Sequence, residues 1–462
     1  MPGWLMQWIS WHTLAVVLGL LLYVLATQGL QQRRPPTAAV AWVLVITLLP
    51  YLGIPLFLLF GTRKLRRALS PGGKTHHLGQ PGWNGADPMG DLARALNLPP
   101  ARAHGQIALH ADGAQALSAL FRVLDSARAT VHICTYAIGD DAVGAALVER
   151  LRAKVASGVS VRILLDGVGG MRSWRIVRQL RAGGVQVVWF VPPLLRPLRG
   201  RTNLRNHRKL VIADGAWVWS GGRNLAAEYF EGAAGAAPWI DLSFDTDGPL
   251  ALELDRIFAA DWDFATGSGI DPPPAAPPQR EYPVDALAQP VPSGPDYADD
   301  TLHDLLLLAC YRVRTRIDIA TPYFVPDDSL LRALCMAARR GVHVRLLVPA
   351  RSNHRLADLA RRRALQQLAA AGAQISLFPS MLHAKMVAID DAWLLLGSAN
   401  IDSRSLFLNY ELMVALQDRT TLAAAVDWFD ARVEAARPWV APPRGIFRDL
   451  GDGLLLWLAF QL

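Results

Sequence analysis

The sequence predicts an α/β protein whose catalytic part is one fold written twice: two pseudo-twofold-related α/β halves forming one catalytic unit, preceded by an amino-terminal transmembrane helical hairpin. Three observations carry this. Short apolar runs of strand type alternate with longer helical stretches, several of these runs recur in the same order, and two long uncharged segments stand at the amino terminus. The 462 residues leave room for a membrane segment plus one large or two medium domains.

The hairpin comes first. Leu5 to Ala26 and Ala38 to Phe60 contain no Asp, Glu, Lys or Arg, and each can cross a hydrocarbon core of about 30 Å as a helix. A cleaved signal peptide fits poorly, because no Lys or Arg precedes the first run and no small-x-small site follows it. Pro50 and Pro55 should kink or interrupt the second helix, which makes a re-entrant segment the variant reading. Arg33 and Arg34 occupy the turn, whereas Arg63, Lys64, Arg66 and Arg67 follow the second run. The heavier cluster places everything after residue 61 in the cytoplasm. The expected divisions are 1–67 for the hairpin, 68–105 for a Gly- and Pro-rich linker, 106–270 for the first half, 271–290 for a Pro-rich connector and 291–462 for the second half. The last of these ends in the apolar run Gly453 to Leu462, either a docked core segment or an interfacial foot.

The repeat follows. Val131–Tyr136 is echoed by Ile317–Tyr323, Gly158–Leu165 by Gly341–Val348, and Gly184–Phe190 by Gly372–Phe378. Each half then delivers the same string, His207-Arg-Lys209 with Asp214 and His383-Ala-Lys385 with Asp390, and in each an Asn (Asn224, Asn400) stands ten positions after the Asp. The chain holds five lysines against 42 arginines, and two of the five fall in these strings. Residues two apart on a strand share a face, so each His projects with its Lys. A phosphodiester undergoing attack gains charge on its non-bridging oxygens, which two ammonium groups and two Asn amides can hold. In-line displacement needs a nucleophile on one side and an acid on the other, and imidazole serves as either near neutral pH. No metal and no cofactor are required. Asp214 and Asp390, grouped with the catalytic residues by the motif, also suit a turn-forming role at a strand end. Imidazoles need partners to fix their tautomers; Asp241 is the candidate for the first half and Glu411 for the second. Nothing raises His76, His77, His110 or His354 above ordinary core or surface residues.

Composition bounds the rest. Cys134, Cys310 and Cys335 are too few and too scattered for a disulfide framework or a zinc cluster. The net charge of +8 suits an anionic membrane or nucleic acid. The membrane segments, and the lack of an aromatic-interleaved basic tract, argue against nucleic acid.

The paired H-x-K-x(4)-D strings resemble those of the phospholipase D superfamily, and within it the chain looks like bacterial cardiolipin synthases of that type. Trp239–Leu242, the Pro-rich connector, Ser293-Gly-Pro295, Thr321–Pro326 and Ser405–Glu411 add to the resemblance, which spans nearly the whole chain. It implies phosphatidyl transfer from one phosphatidylglycerol to another at the bacterial cytoplasmic membrane. His207 would be the nucleophile of a phosphatidyl-histidine intermediate and His383 the acid and base, with anionic membrane lipids as partners. Asn224, Ser398 and Asn400 would bind phosphate. The first half departs from the G-S-x-N pattern, having Gly222 where the second has Ser398, which predicts weaker phosphate contacts from that side. A phospholipase that passes the same intermediate to water, a nuclease of the superfamily and an inactive lipid-binding scaffold are the rival readings. Loss of one His or Lys would mark the scaffold, and none is missing.

Overall fold

The computed structural model describes residues 3–29, 36–61, 87–192, 203–233, 235–269, 282 and 286–441. The basic residues flanking the hairpin segments, the first half of the predicted linker, most of the predicted connector and the run Gly453 to Leu462 lie outside these.

Three helices open the chain: α1 (Gly3–Gly29), α2 (Pro36–Leu48) and α3 (Pro50–Phe60). Among the described residues only α1 is long and apolar enough to cross a membrane, through the window Ser10–Thr27. The second predicted span is not one helix. The chain leaves helical geometry at Leu49, and Pro50 starts α3, as expected where the proline ring disfavours helix in the residue before it. Pro55 stays inside α3. The two short helices pack back on one another, since a Cβ on Gly53 would lie 2.8 Å from the Val45 carbonyl. Tyr23, Ile46 and Phe57 form the small core that joins them to α1.

The chain then forms α4 (Pro88–Ala95) and β1 (Arg102–Ala103). This stretch was expected to be linker. Instead Met89, Ala93 and Leu98 are buried in the core of the second half, and β1 pairs with a strand of that half. Asp87 caps α4 through the Gly90 amide.

The first half runs β2 (Ala108–His110), α5 (Gly113–Ser126), β3 (Thr130–Thr135), α6 (Ala142–Ala156), β4 (Ser160–Asp166), α7 (Trp174–Ala182), β5 (Gln186–Phe190), β6 (Leu210–Ala213), β7 (Trp217–Gly221), β8 (Ser243–Asp247) and α8 (Pro249–Thr266). The second runs β9 (Leu287–Ser293), α9 (Thr301–Arg312), β10 (Arg316–Ala320), β11 (Phe324–Val325), α10 (Asp328–Arg339), β12 (His343–Pro349), α11 (Arg355–Ala370), β13 (Gln374–Phe378), β14 (Met386–Ile389), β15 (Trp393–Gly397), β16 (Ile401–Asp402), α12 (Ser403–Phe407), β17 (Glu411–Leu416), α13 (Arg419–Glu434) and β18 (Arg437–Pro438). Strand β9 starts inside the predicted connector.

The first sheet has the order β2-β8-β7-β6-β3-β4-β5 and the second β1-β9-β17-β15-β14-β10-β12-β13-β18. Strands β3, β4 and β5 are parallel, as are β10, β12 and β13. Continuous apolar runs such as Ile163–Leu165 suit strands covered on both faces. The repeated glycines Gly158 and Gly341 have φ of +89° and +92°, the left-handed turn that releases a helix into β4 or β12. Each half has its own outer core. A third cluster joins Leu164, Phe190, Leu210 and Phe258 of the first half to Leu347, Met386, Leu394 and Phe429 of the second. Burying each Leu or Phe there contributes about 1.5–3 kcal/mol, so the two sheets form one unit rather than two tethered ones.

Candidate active site

Both His-x-Lys strings lie just before short central strands, β6 and β14. Each is bridged to a segment of the opposite half. Asn206 pairs with Tyr410 and Ile240 with Leu382, fixed by bonds from the His207 amide to the Tyr410 carbonyl (2.8 Å) and from the His383 amide to the Ile240 carbonyl (2.6 Å). The residue after each bridging partner is a buried carboxylate, so the dyads cross between halves. His207 Nδ1 lies 3.0 Å from Glu411 Oε2, and His383 Nδ1 lies 2.7 Å from Asp241 Oδ2. The sequence reading put Asp241 with the first half and Glu411 with the second. Both carboxylates do serve imidazoles, with the assignments exchanged.

The two carboxylates are braced differently. Ser398 Oγ donates to Glu411 Oε2 at 2.5 Å and accepts from the Leu412 amide at 2.9 Å, while Asn409 Nδ2 donates to Oε1 at 3.1 Å. The expected phosphate ligand Ser398 thus has its hydroxyl committed to positioning a carboxylate. Its counterpart Gly222 has no room for a side chain: a Cβ there would stand 2.2 Å from Asp241 Oδ1. That oxygen takes the Leu242 amide directly, at 2.7 Å. The departure from G-S-x-N is therefore a matched exchange, Gly with Asp for Ser with Glu.

The lysines are fully buried. Lys209 Nζ donates to the His207 carbonyl at 2.7 Å, and Lys385 Nζ lies 3.0 Å from His383 Nε2. Burial lowers both, Lys209 to about 8 and Lys385 to about 7, and the Lys209 charge adds to the depression of Lys385. Burial is also the main cause holding His207 below its ordinary value, and it pushes His383, with the Lys385 charge beside it, down to about 3. Desolvation opposes ionisation of the carboxylates too, but their histidines and lysines win: Asp241 falls to about 2 and Glu411 is lowered. The site thus holds neutral imidazoles against ionised carboxylates, with ammonium groups from both halves close enough to repel. His207 Nε2 has no hydrogen-bond partner among the described residues.

Asp214 and Asp390 do not join this cluster. Each sits at the far end of the strand that begins beside its lysine, about 3.3 Å per residue away, with φ of +54° and +49°. Asp214 accepts from the amides of Arg128, Ala129 and Thr130, and Asp390 from those of Arg314, Thr315 and Arg316. Both tie the start of a parallel strand to the turn. Asn224 donates to the Tyr229 hydroxyl at 2.7 Å, and Tyr229 stands edge-on to His383 with ring centres 5.0 Å apart. Asn400 bonds Asp402. The side-chain oxygens of Asn224 and Asn400 are buried without partners.

Sequence reasoning passed over three contributors. Tyr136 packs edge-on to His207 at 5.3 Å; it closes the repeated Val131–Tyr136 string, so a signal existed. Trp239 lies 5.5 Å from the His383 ring. Arg208, the x of the first motif, is fully buried and donates to Asp261 (2.5 Å), Asp296 (3.3 Å) and the Glu411 carbonyl (3.1 Å). It fastens the first motif to the segment that supplies the carboxylate to His207. The three cysteines are buried and free, and burial raises their pKa.

A duplicated fold with a His and a Lys from each half at its seam is the architecture of phospholipase D-type phosphoryl transfer, and the comparisons agree. The family described as "Cardiolipin synthase, PLD-like domain" matches residues 120–262 and 311–433, and one described as "Phospholipase_D-nuclease N-terminal" matches residues 15–61. Cardiolipin synthase A of Shigella boydii serotype 4 is 32% identical over 94% of this chain and 96% of its own length. Cardiolipin synthase A of Escherichia coli O1:K1 is 31% identical over the same shares. Among solved structures, phosphatidylserine synthase of Haemophilus influenzae Rd KW20 has a TM-score of 0.60 at 16% identity, over 81% of this chain and all of that one; this likeness is of fold. The chain belongs to the cardiolipin synthase family and is a phosphatidyltransferase.

Proposed function

We propose that the protein makes cardiolipin from two molecules of phosphatidylglycerol through a phosphatidyl-histidine intermediate. The observation that carries this is the open Nε2 of His207, on an imidazole whose Nδ1 proton is directed to an ionised carboxylate, beside two buried lysines. His207 Nε2 attacks phosphorus, the bond to the glycerol headgroup breaks, and His383 protonates the departing oxygen. The hydroxyl of a second phosphatidylglycerol then gives its proton to His383 and attacks phosphorus, the P–N bond breaks, and cardiolipin leaves. Lys209 and Lys385 hold the non-bridging oxygens. Burial, and after it the Lys385 charge, keeps His383 neutral in the empty site; the bound anion cancels part of that charge, so His383 can take up from solvent the proton it gives to the departing oxygen. If the Asn224 amide turns over, Tyr229 donates to its oxygen and its NH2 faces the phosphate.

The difference between the imidazoles supports this division of labour: Lys385 Nζ lies against the His383 ring, 2.7 Å from Nδ1 and 3.0 Å from Nε2, while among the described residues nothing bonds to His207 Nε2. The apolar window of α1 supports membrane attachment. We further assign the catalytic part to the cytoplasmic face of a bacterial inner membrane, with α2 and α3 dipping into the bilayer rather than spanning it. The substrates and neighbouring anionic lipids are its partners, not nucleic acid. The first half is taken as 106–270, and the second as 287–441 with residues 87–103 added to it.

Purified full-length protein in phosphatidylglycerol vesicles tests the reading. Cardiolipin with an equal yield of free glycerol is expected, together with a lipid-modified His207 peptide by mass spectrometry after acid quench. Phosphatidic acid as the sole product would sink the transferase in favour of a hydrolase.

A further inference from the structure

Joining two phosphatidylglycerols poses a problem that hydrolysis does not. The acceptor also carries a phosphodiester, three carbons from its reacting hydroxyl, and that charge must be held beside a site already filled by the donor phosphate. Arg205, His207 and Lys209 alternate along the extended segment bridged at Asn206, so they share a face at roughly 6.5–7 Å spacing. That spacing matches two phosphates separated by a glycerol. The second half offers Met381, His383 and Lys385 at the equivalent places, so the third cation exists on the His207 side alone.

Arg404, from α12 of the opposite half, completes the cluster. Its Nη1 and Nη2 donate to Asn203 Oδ1 (3.0 Å) and to the Asn203 carbonyl (2.7 Å). These partners are neutral, and among the described residues Arg404 makes no ion pair. Asp402 and Asp166 lie near enough to offset its charge in part, but neither pairs with it directly, and among the described residues three of its five N–H groups make no hydrogen bond. Arg205 Nη1 donates to the Val191 carbonyl at 3.3 Å and reaches Asp166 Oδ1 at 3.5 Å, and that carboxylate also serves the amides of Val168, Gly169 and Asn206. Burial and the Arg205 charge both lower Arg404; two guanidiniums close enough to repel make an anion site in waiting. Both act on Tyr136, whose ring stands against His207.

We propose that Arg205 and Arg404, with the side chain of Asn203, form a second anion seat that holds the acceptor's phosphodiester while its glycerol hydroxyl reaches the phosphorus on His207. The seat rests on the transferase reading above. It explains how one enzyme prefers an anionic lipid alcohol to abundant water.

The test lets acceptors compete. Full-length enzyme in mixed micelles receives phosphatidylglycerol together with 1-butanol, and the ratio of cardiolipin to phosphatidylbutanol is measured. Arg404→Gln should lower that ratio by roughly tenfold or more, the scale of a lost charge-assisted phosphate contact, through a raised KM for phosphatidylglycerol as acceptor. Arg404→Lys should lower it less. An unchanged ratio in Arg404→Gln overturns the seat, and so does an equal fall of both products, because an acceptor seat cannot govern transfer to an uncharged alcohol. If wild-type enzyme makes no cardiolipin, the transferase reading itself fails.

Discussion

The two halves carry one motif and use it differently. In the first, His207 keeps its side chain 14% exposed and its outer nitrogen unbonded among the described residues, and its carboxylate is a glutamate held by a serine and an asparagine. In the second, His383 is 6% exposed and pressed by its own lysine, and its carboxylate is an aspartate held by a backbone amide where a glycine has made room. Duplication has preserved where each charge sits while letting the residues that place it diverge. The pair most alike in sequence is therefore unlike in surroundings: one imidazole keeps a more exposed outer edge, the other is crowded by its own lysine.

The largest expected effect comes from breaking the crossed pairing. Glu411→Gln should disable His207, lowering turnover by about 10²–10⁴-fold and suppressing the lipid adduct on His207. Asp241→Asn should lower turnover comparably but slow both formation and discharge of the adduct rather than suppress it, because on the proposed mechanism His383 gives a proton in the first step and takes one in the second. Stopped reactions with quantified adduct separate the two. Adduct loss in Asp241→Asn with retention in Glu411→Gln would reverse the pairing.

Restoring symmetry should do harm. Gly222→Ser brings the first half back to the G-S-x-N pattern, but its Cβ meets Asp241, so activity should fall roughly tenfold or more with a lower melting temperature. Ser398→Ala leaves space and removes one bond to Glu411, which corresponds to roughly tenfold. Higher activity in Gly222→Ser would refute the matched exchange.

The smallest effect lies in pH dependence. A lysine with a lowered pKa sheds its charge at lower pH, so phosphate capture should weaken on the alkaline side from about 7 for Lys385 and about 8 for Lys209. A histidine with a lowered pKa stays neutral further into acid, so the acid limb set by His207 should lie below its ordinary 6.5. In a profile of kcat/KM, Lys385→Arg should shift the first alkaline inflection upward by about one unit or more, at reduced rate. An alkaline limb near 10 would show that the free enzyme's lysines are not depressed.

Much of this was legible because it repeats. The strings around His207 and His383 announced two strands, two lysines and a shared task, and Glu411 and Asp241 stood out as acids in apolar surroundings. Which acid meets which histidine was not legible, because strand periodicity reports the face of a residue and not the segment docked against it. That is decided by the bridges at Tyr410 and Ile240, contacts between residues far apart in the chain. The same limit hid α4, whose Met89 and Ala93 look like linker residues until the second half offers them a groove. Asp214 and Asp390 belong to the motif, yet the turn-forming role they also suited in the sequence is the one their contacts fit, three backbone amides apiece. Pro50 did signal the broken helix, since its effect on the preceding residue is local.

The crossed carboxylates also have a genetic consequence. Because each half finishes the other's imidazole, a lesion in Glu411 is felt at His207, 204 residues away in the chain, and a lesion in Asp241 at His383, 142 residues away. Neither copy of the duplication can decay, be deleted or be inherited alone without silencing both. Two coexpressed chains, one damaged at His207 in the first half and the other at His383 in the second, would regain a whole site only by exchanging halves, so complementation between such alleles would report domain swapping.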